Sequence, residues 1–118
     1  QIFKMQLLRK ALLMLSLSAL LLQAGCGSPT SVESAAEYQR IVGRIRDIVG
    51  NQLNLDVGDV DVGVPLSKQK KAADELDVVE IIMTVETAFN IEIKDEDVSR
   101  DPSVTELADI VSKKKALK

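Results

Sequence analysis

A chain of 118 residues suits one small domain. Eighteen acidic against fifteen basic side chains, with 3% aromatics, exclude a nucleic-acid surface, which needs cations for phosphates and rings for stacking. The absence of histidine and the single cysteine, Cys26, exclude Ser-His and Cys-His nucleophiles, zinc centres and an intrachain disulfide. No catalytic residue and no metal ligand is therefore expected, and the chain is read as a non-enzyme.

The chain opens on Gln1, and Met5 is the expected translational start. All 18 acids follow residue 25, while Lys4, Arg9 and Lys10 precede it, so the remainder carries 12 bases and a net charge of −6. From Ala11 to Leu22 an apolar run of twelve is broken only by Ser16 and Ser18. As helix it would cover ~18 Å, short of the ~30 Å hydrocarbon core, which fits a signal-peptide core better than a spanning segment. Leu22-Gln23-Ala24-Gly25-Cys26 follows. This run resembles the lipobox of bacterial lipoproteins, with Gln23 where Leu is usual. The resemblance implies a signal peptide over 1–25, lipidation of Cys26, and a tether over 26–33. It also implies a bacterial membrane-anchored lipoprotein facing the periplasm or cell exterior.

The domain is expected over 34–115, with 116–118 as a tail. Thr30 with Glu33 and Ser34 with Glu37 both have capping-box spacing, so a helix starts near one of them. Its stripe is Tyr38, Ile41, Val42, Ile45, Ile48, Val49 and Leu53, weakened by Gly43 and Gly50 and stopped at Asn54. Leu55 to Ala73 reads as a long loop in which Val60 and Leu66 turn inward. Asp56, Asp59 and Asp61 alternate with valines, which would also suit a short strand or a calcium loop. Gly58 and Gly63 break the calcium-loop spacing, however, and no closing Glu follows. Lys68-Gln69-Lys70-Lys71 reads as a solvated run beside the acidic helix that comes next.

That helix, from about Glu75 to Phe89 with Asp74 as N-cap, organises the chain. Val78, Ile81, Ile82, Val85 and Phe89 form a stripe that a core would bury. Leu76, Val79 and Met83 form a second on the opposite side, among Asp77, Glu80 and Glu86. Asp101-Pro102 suggests a break. Ser103 with Glu106 caps a last helix whose stripe is Val104, Leu107, Ala108 and Val111, and Lys113 to Lys115 suit its negative end.

Ala73 to about Asp97, including Asp74-Glu75-Leu76 and the Phe89 to Ile93 turn, resembles the second-helix region of acyl carrier proteins; a looser likeness runs from Ser34 to Lys115. The resemblance implies an all-α, four-helix carrier bundle of three long helices and one short, the short one at Lys94 to Ser99, with a long first loop. In that family an Asp-Ser-Leu serine takes a 4′-phosphopantetheine arm, and here Glu75 stands in its place. A carboxylate has no hydroxyl to form the phosphodiester, so no cofactor, phosphopantetheine included, is expected. By position, Asp74, Leu76, Asp77, Val79, Glu80, Met83 and Glu86 correspond to the surface on which carrier partners dock through basic patches. The expectation is a monomeric lipoprotein interaction module that meets a basic protein surface and, through lipidated Cys26, a membrane. The alternatives are a working acyl carrier, for which Ser67 is the nearest upstream hydroxyl, and a structural envelope lipoprotein.

Overall fold

The computed structural model describes residues 31–117. The expected signal segment, Cys26 and the tether up to residue 30 lie outside the described residues. The chain divides after Ser34 into two units, and only the opening residues of one helix are described in the first. Helix α1 spans Ser31–Leu53, α2 Glu75–Phe89 and α3 Val104–Ala116. Single 3-10 turns at Val57–Asp59, Leu66–Lys68 and Asp95–Asp97 punctuate the connections. Among the described residues the only extended pairing is an isolated bridge between Pro65 and Ser103. The fold is all-helical, as expected, and the short helix expected at Lys94–Ser99 is reduced to one 3-10 turn. The Asp97 carboxylate closes that turn by accepting from the Lys94 N–H at 3.0 Å and pairing with Lys114 at 2.7 Å.

Helix α1 starts earlier than Ser34 would place it. Ser34 lies within the helix and its hydroxyl donates back to the Ser31 carbonyl at 3.0 Å. Glu37 does not complete a capping box there; it pairs with Arg40 and with Lys115 of α3. The expected stripe is the buried one: Ile41, Ile45, Ile48, Val49 and Leu53 are interior, with Tyr38 and Val42 partly covered. Helices α1 and α2 end alike. Asn54 and Asn90 take the left-handed conformation (φ 56° and 52°). The next N–H in each case reaches five residues back, Leu55 to the Gly50 carbonyl and Ile91 to that of Glu86. Asn tolerates this conformation better than most residues because its short amide bonds locally.

That reversal decides what the two helical glycines do. A Cβ on Gly50 would sit 2.9 Å from the Leu55 carbonyl oxygen, a backbone atom held by the helix end itself. A Cβ on Gly43 would meet nothing within 4 Å. Gly43→Ala is therefore expected to stabilise the domain by about 0.5–1 kcal/mol through helix propensity and reduced chain entropy. Gly50→Ala is expected to destabilise it by ~1–3 kcal/mol through overpacking. Denaturant titration of the two variants reads the opposite signs.

The core joins the three helices and the long loop. Ile45, Val49, Ile81, Val85, Leu107, Ala108 and Val111 are fully covered, and Val60 and Leu66 plug the core from the loop. The loop is bound to the start of α3 by backbone bonds, Leu66 N–H to the Pro102 carbonyl and Thr105 N–H to that of Val62, both at 3.0 Å. The lysine run is not uniformly solvated. Gln69 is buried, Lys70 pairs with Asp59 at 2.9 Å, and Lys71 donates to the Asn54 carbonyl at 2.9 Å. Lys70 thus closes the loop on itself, and Lys71 ties it to the end of α1.

Candidate functional site

Helix α2 begins where its sequence dictates. The Asp74 side chain accepts from the Asp77 N–H at 2.8 Å, and the Asp77 carboxylate accepts from the Asp74 N–H at 3.1 Å. This reciprocal cap satisfies donors that would otherwise be orphaned, and both charges favour the positive end of the helix dipole. At about 100° per residue, Val78, Ile81 and Val85 then point inward while Leu76, Val79 and Met83 point outward. The first three are buried; the second three are 64%, 48% and 59% exposed. Burial of the inner face alone holds α2, so the outer apolar face is unused by the fold.

The carboxylates around that face differ in how they are held. Gln52 of α1 donates through Nε2 to Asp77 at 3.2 Å and also to Glu80. The half-buried Glu86 accepts from the Ile93 N–H at 2.9 Å, closing the turn after α2. Donation from the Asp74 N–H, then from Gln52, lowers the Asp77 carboxyl below its ordinary range. These contacts hold the three carboxylates in fixed positions. Glu75 alone among the acids of α2 makes no hydrogen bond or ion pair with a described residue, and it is exposed.

Glu75 stands at the mouth of a cleft. One part, about 540 Å³, is lined by Glu75, Val78, Val79, Val98, Ser99 and Arg100, together with Asp95. A second part shares Glu75, Val78 and Arg100 and adds Ser67, Ala73, Asp74 and Asp101. Two hydroxyls face this cleft, each bound to a carboxylate. Ser67 donates from Oγ to Asp101 at 2.5 Å and from its N–H at 3.0 Å. Ser99 donates likewise to Glu106, at 2.8 Å from both atoms. Glu106 therefore serves the Ser99 loop, while Ser103 alone caps α3 by accepting the Glu106 N–H at 3.1 Å.

Residues 43–111 match the protein family described as "Phosphopantetheine attachment site". The acyl carrier protein of Syntrophobacter fumaroxidans is 39% identical over 75 residues, covering 62% of this chain and 89% of that protein. That of Guillardia theta is 33% identical over 78 residues, covering 66% and 95%. This chain belongs to the acyl carrier protein family. Membership corrects one expectation: a chain matched to a phosphopantetheine-attachment family, with acyl carrier proteins as relatives, points to phosphopantetheine as its prosthetic group, where none was expected. Position 75 itself does not fit the group, since a carboxylate has no hydroxyl with which to form the phosphodiester; the hydroxyls on the same cleft are Ser67 and Ser99.

Within this carrier domain, sequence reasoning placed the outer face of α2 and missed three participants. Gln52 lies on α1, and no pattern in its own helix ties it to Asp77 or Glu80. Arg100 has no hydrogen bond or ion pair with a described residue, and it lines both parts of the cleft. Asp101 was legible only as a chain break before Pro102.

Three acids are held low by contacts of the folded state. Lys114 lowers the Asp97 carboxyl and Lys115 that of Glu37, while Asp77 is lowered by its cap. A carboxyl lowered on folding contributes stability above its unfolded value and loses it as pH falls through the folded one. The melting temperature is therefore expected to be level from neutral pH down to about 5 and to fall below about 4, where free carboxyls protonate. Asp97→Asn should make the fall shallower in pH-dependent melting curves.

Proposed function

We propose that this acyl carrier protein family member is a membrane-tethered docking module, held through lipidated Cys26 and engaging a basic partner through the outer face of α2. One observation carries the reading: Leu76, Val79 and Met83 stand in solvent on a helix whose opposite face is fully used by the core. Asp74, Asp77, Glu80 and Glu86 frame them, and the chain beyond residue 25 carries a net −6. An apolar centre with an acidic frame suits a partner presenting an apolar pocket ringed by Lys and Arg. The module performs no chemistry of its own. Its anchoring rests on the ordered basic, apolar and small-residue segments that precede Cys26, and it places the domain on the periplasmic or outer side of a bacterial membrane.

A photo-cross-linking residue at position 80 of the full membrane-tethered chain tests this. An adduct is expected from position 80, weakened by salt as exposed charge pairs are, and absent from position 44 on the exposed side of α1. Equal labelling from both positions, or none from position 80, counts against the docking face. A second reading, a working acyl carrier, is favoured by the attachment-site match and by the function that the relatives' names give. The two readings share the docking face and differ in whether a covalent arm is present.

A further inference from the structure

We propose that Met83 is an oxidation site, and that its conversion to the sulfoxide by a hydroperoxide releases the partner from the outer face of α2. The inference rests on the docking reading and adds a means of regulation to the same face.

Of the three methionines in the chain, Met5 and Met14 precede Cys26, within the expected signal segment. Beyond Cys26 the chain therefore holds a single sulfur, that of Met83. Its side chain is 59% exposed, on a helix whose inner residues Val78, Ile81 and Val85 are buried. An oxidant in solution thus reaches the thioether without any opening of the fold. Met83 lies seven residues beyond Leu76, which places both within about 20° on the helix, and Val79 lies one turn before it. The thioether is thereby part of the apolar centre of the face. The carboxylates around it, Asp77, Glu80 and Glu86, are not oxidised by hydroperoxides, whereas a thioether is.

The step balances with the hydroperoxide as its one co-reactant. A lone pair on Met83 Sδ attacks one peroxide oxygen, the O–O bond breaks and an S–O bond forms. The transferred oxygen gives up its proton to the departing one, which leaves as water when the oxidant is hydrogen peroxide. Sulfur loses two electrons and the peroxide gains them. The product is a polar sulfoxide where the face had an apolar side chain. Its oxygen is an acceptor, set among ionised carboxylates that are themselves acceptors only. An apolar pocket on the partner would have to strip water from that oxygen without offering a donor in return. The fold is spared, because the core uses the opposite face of α2.

The full membrane-tethered chain with the photo-cross-linker at position 80 tests the proposal. It is treated with hydrogen peroxide, freed of oxidant with catalase, and returned to the envelope extract that yields the adduct. One added oxygen is expected on the peptide containing Met83, with about tenfold less adduct and a melting temperature within a few degrees of the untreated chain. Methionine sulfoxide reductases for both epimers should restore the adduct. In Met83→Leu the adduct, whatever its starting yield, should not change on peroxide treatment. The proposal is overturned if Met83 stays reduced while free methionine in the same solution is consumed, or if the oxidised chain keeps its full adduct. It is equally overturned if reduction does not bring the adduct back, or if Met83→Leu loses its adduct to peroxide as well. An untreated chain that gives no adduct refutes the docking face itself, and this inference falls with it.

Discussion

Replacing Leu76 and Met83 together by aspartate is expected to weaken partner capture by at least tenfold while moving the melting temperature by no more than a few degrees. The separation of the two effects follows from the two faces of α2. Both side chains are more than half exposed, so neither contributes much to the core, and surface changes away from caps and core usually fall within about 0.5 kcal/mol. At an interface the same positions would be central, seven residues apart and therefore within about 20° on the helix. Loss of about 1.4 kcal/mol there is already tenfold, and carboxylates placed in an apolar pocket cost more than simple truncation. Binding measured on the tethered chain alongside thermal melting separates the outcomes. Unchanged capture with unchanged melting would leave the domain as a structural envelope component, whereas a collapse of melting would mean that the outer face belongs to the fold.

The sequence is informative about α2 and α3 because each carries its own start signal and one clear stripe. Asp74 and Ser103 cap where they were expected, and of the predicted inner residues all four of α3 and Val78, Ile81 and Val85 of α2 are buried, while Ile82 and Phe89 at the edge of the α2 stripe are partly covered. The exposure of Leu76, Val79 and Met83 was legible for the same reason, since a helix with two opposite apolar stripes can bury only one in a bundle this small. What was not legible depends on groups far apart in the chain. Gly50 looks like a weak point in a helix until the returning Leu55 carbonyl comes against it. Gln52 has no local reason to hold Asp77 and Glu80. Ser67 and Asp101 are 34 residues apart, and only the bond between Leu66 and Pro102 brings them together. The cofactor was misjudged from one substituted position, where membership of the family over residues 43–111 carries more weight than position 75 alone.

Gln69→Ala is expected to cost about 2–3 kcal/mol of stability, from a position that reads as one polar residue among lysines. The side chain is only 6% exposed. Its Oε1 accepts from the Asp61 N–H at 2.9 Å, and its Nε2 donates to the Asp61 carbonyl at 2.7 Å and the Val64 carbonyl at 3.3 Å. One amide thus closes the long loop upon itself beside Val60 and Leu66, the two residues that seal the core from that side. Truncation would leave a donor and two acceptors without partners, at about 1–3 kcal/mol for each group that water does not reach. In a domain of this size that corresponds to a melting temperature lower by roughly 10–20 °C. Gln69→Lys discriminates more sharply still. If the run were solvated, it would be neutral within about 0.5 kcal/mol; with the geometry found, it removes the only acceptor for the Asp61 N–H and is expected to cost as much as alanine. Faster amide exchange confined to residues 57–66 in either variant, with α2 protected, would place the loss in the loop that also carries Ser67.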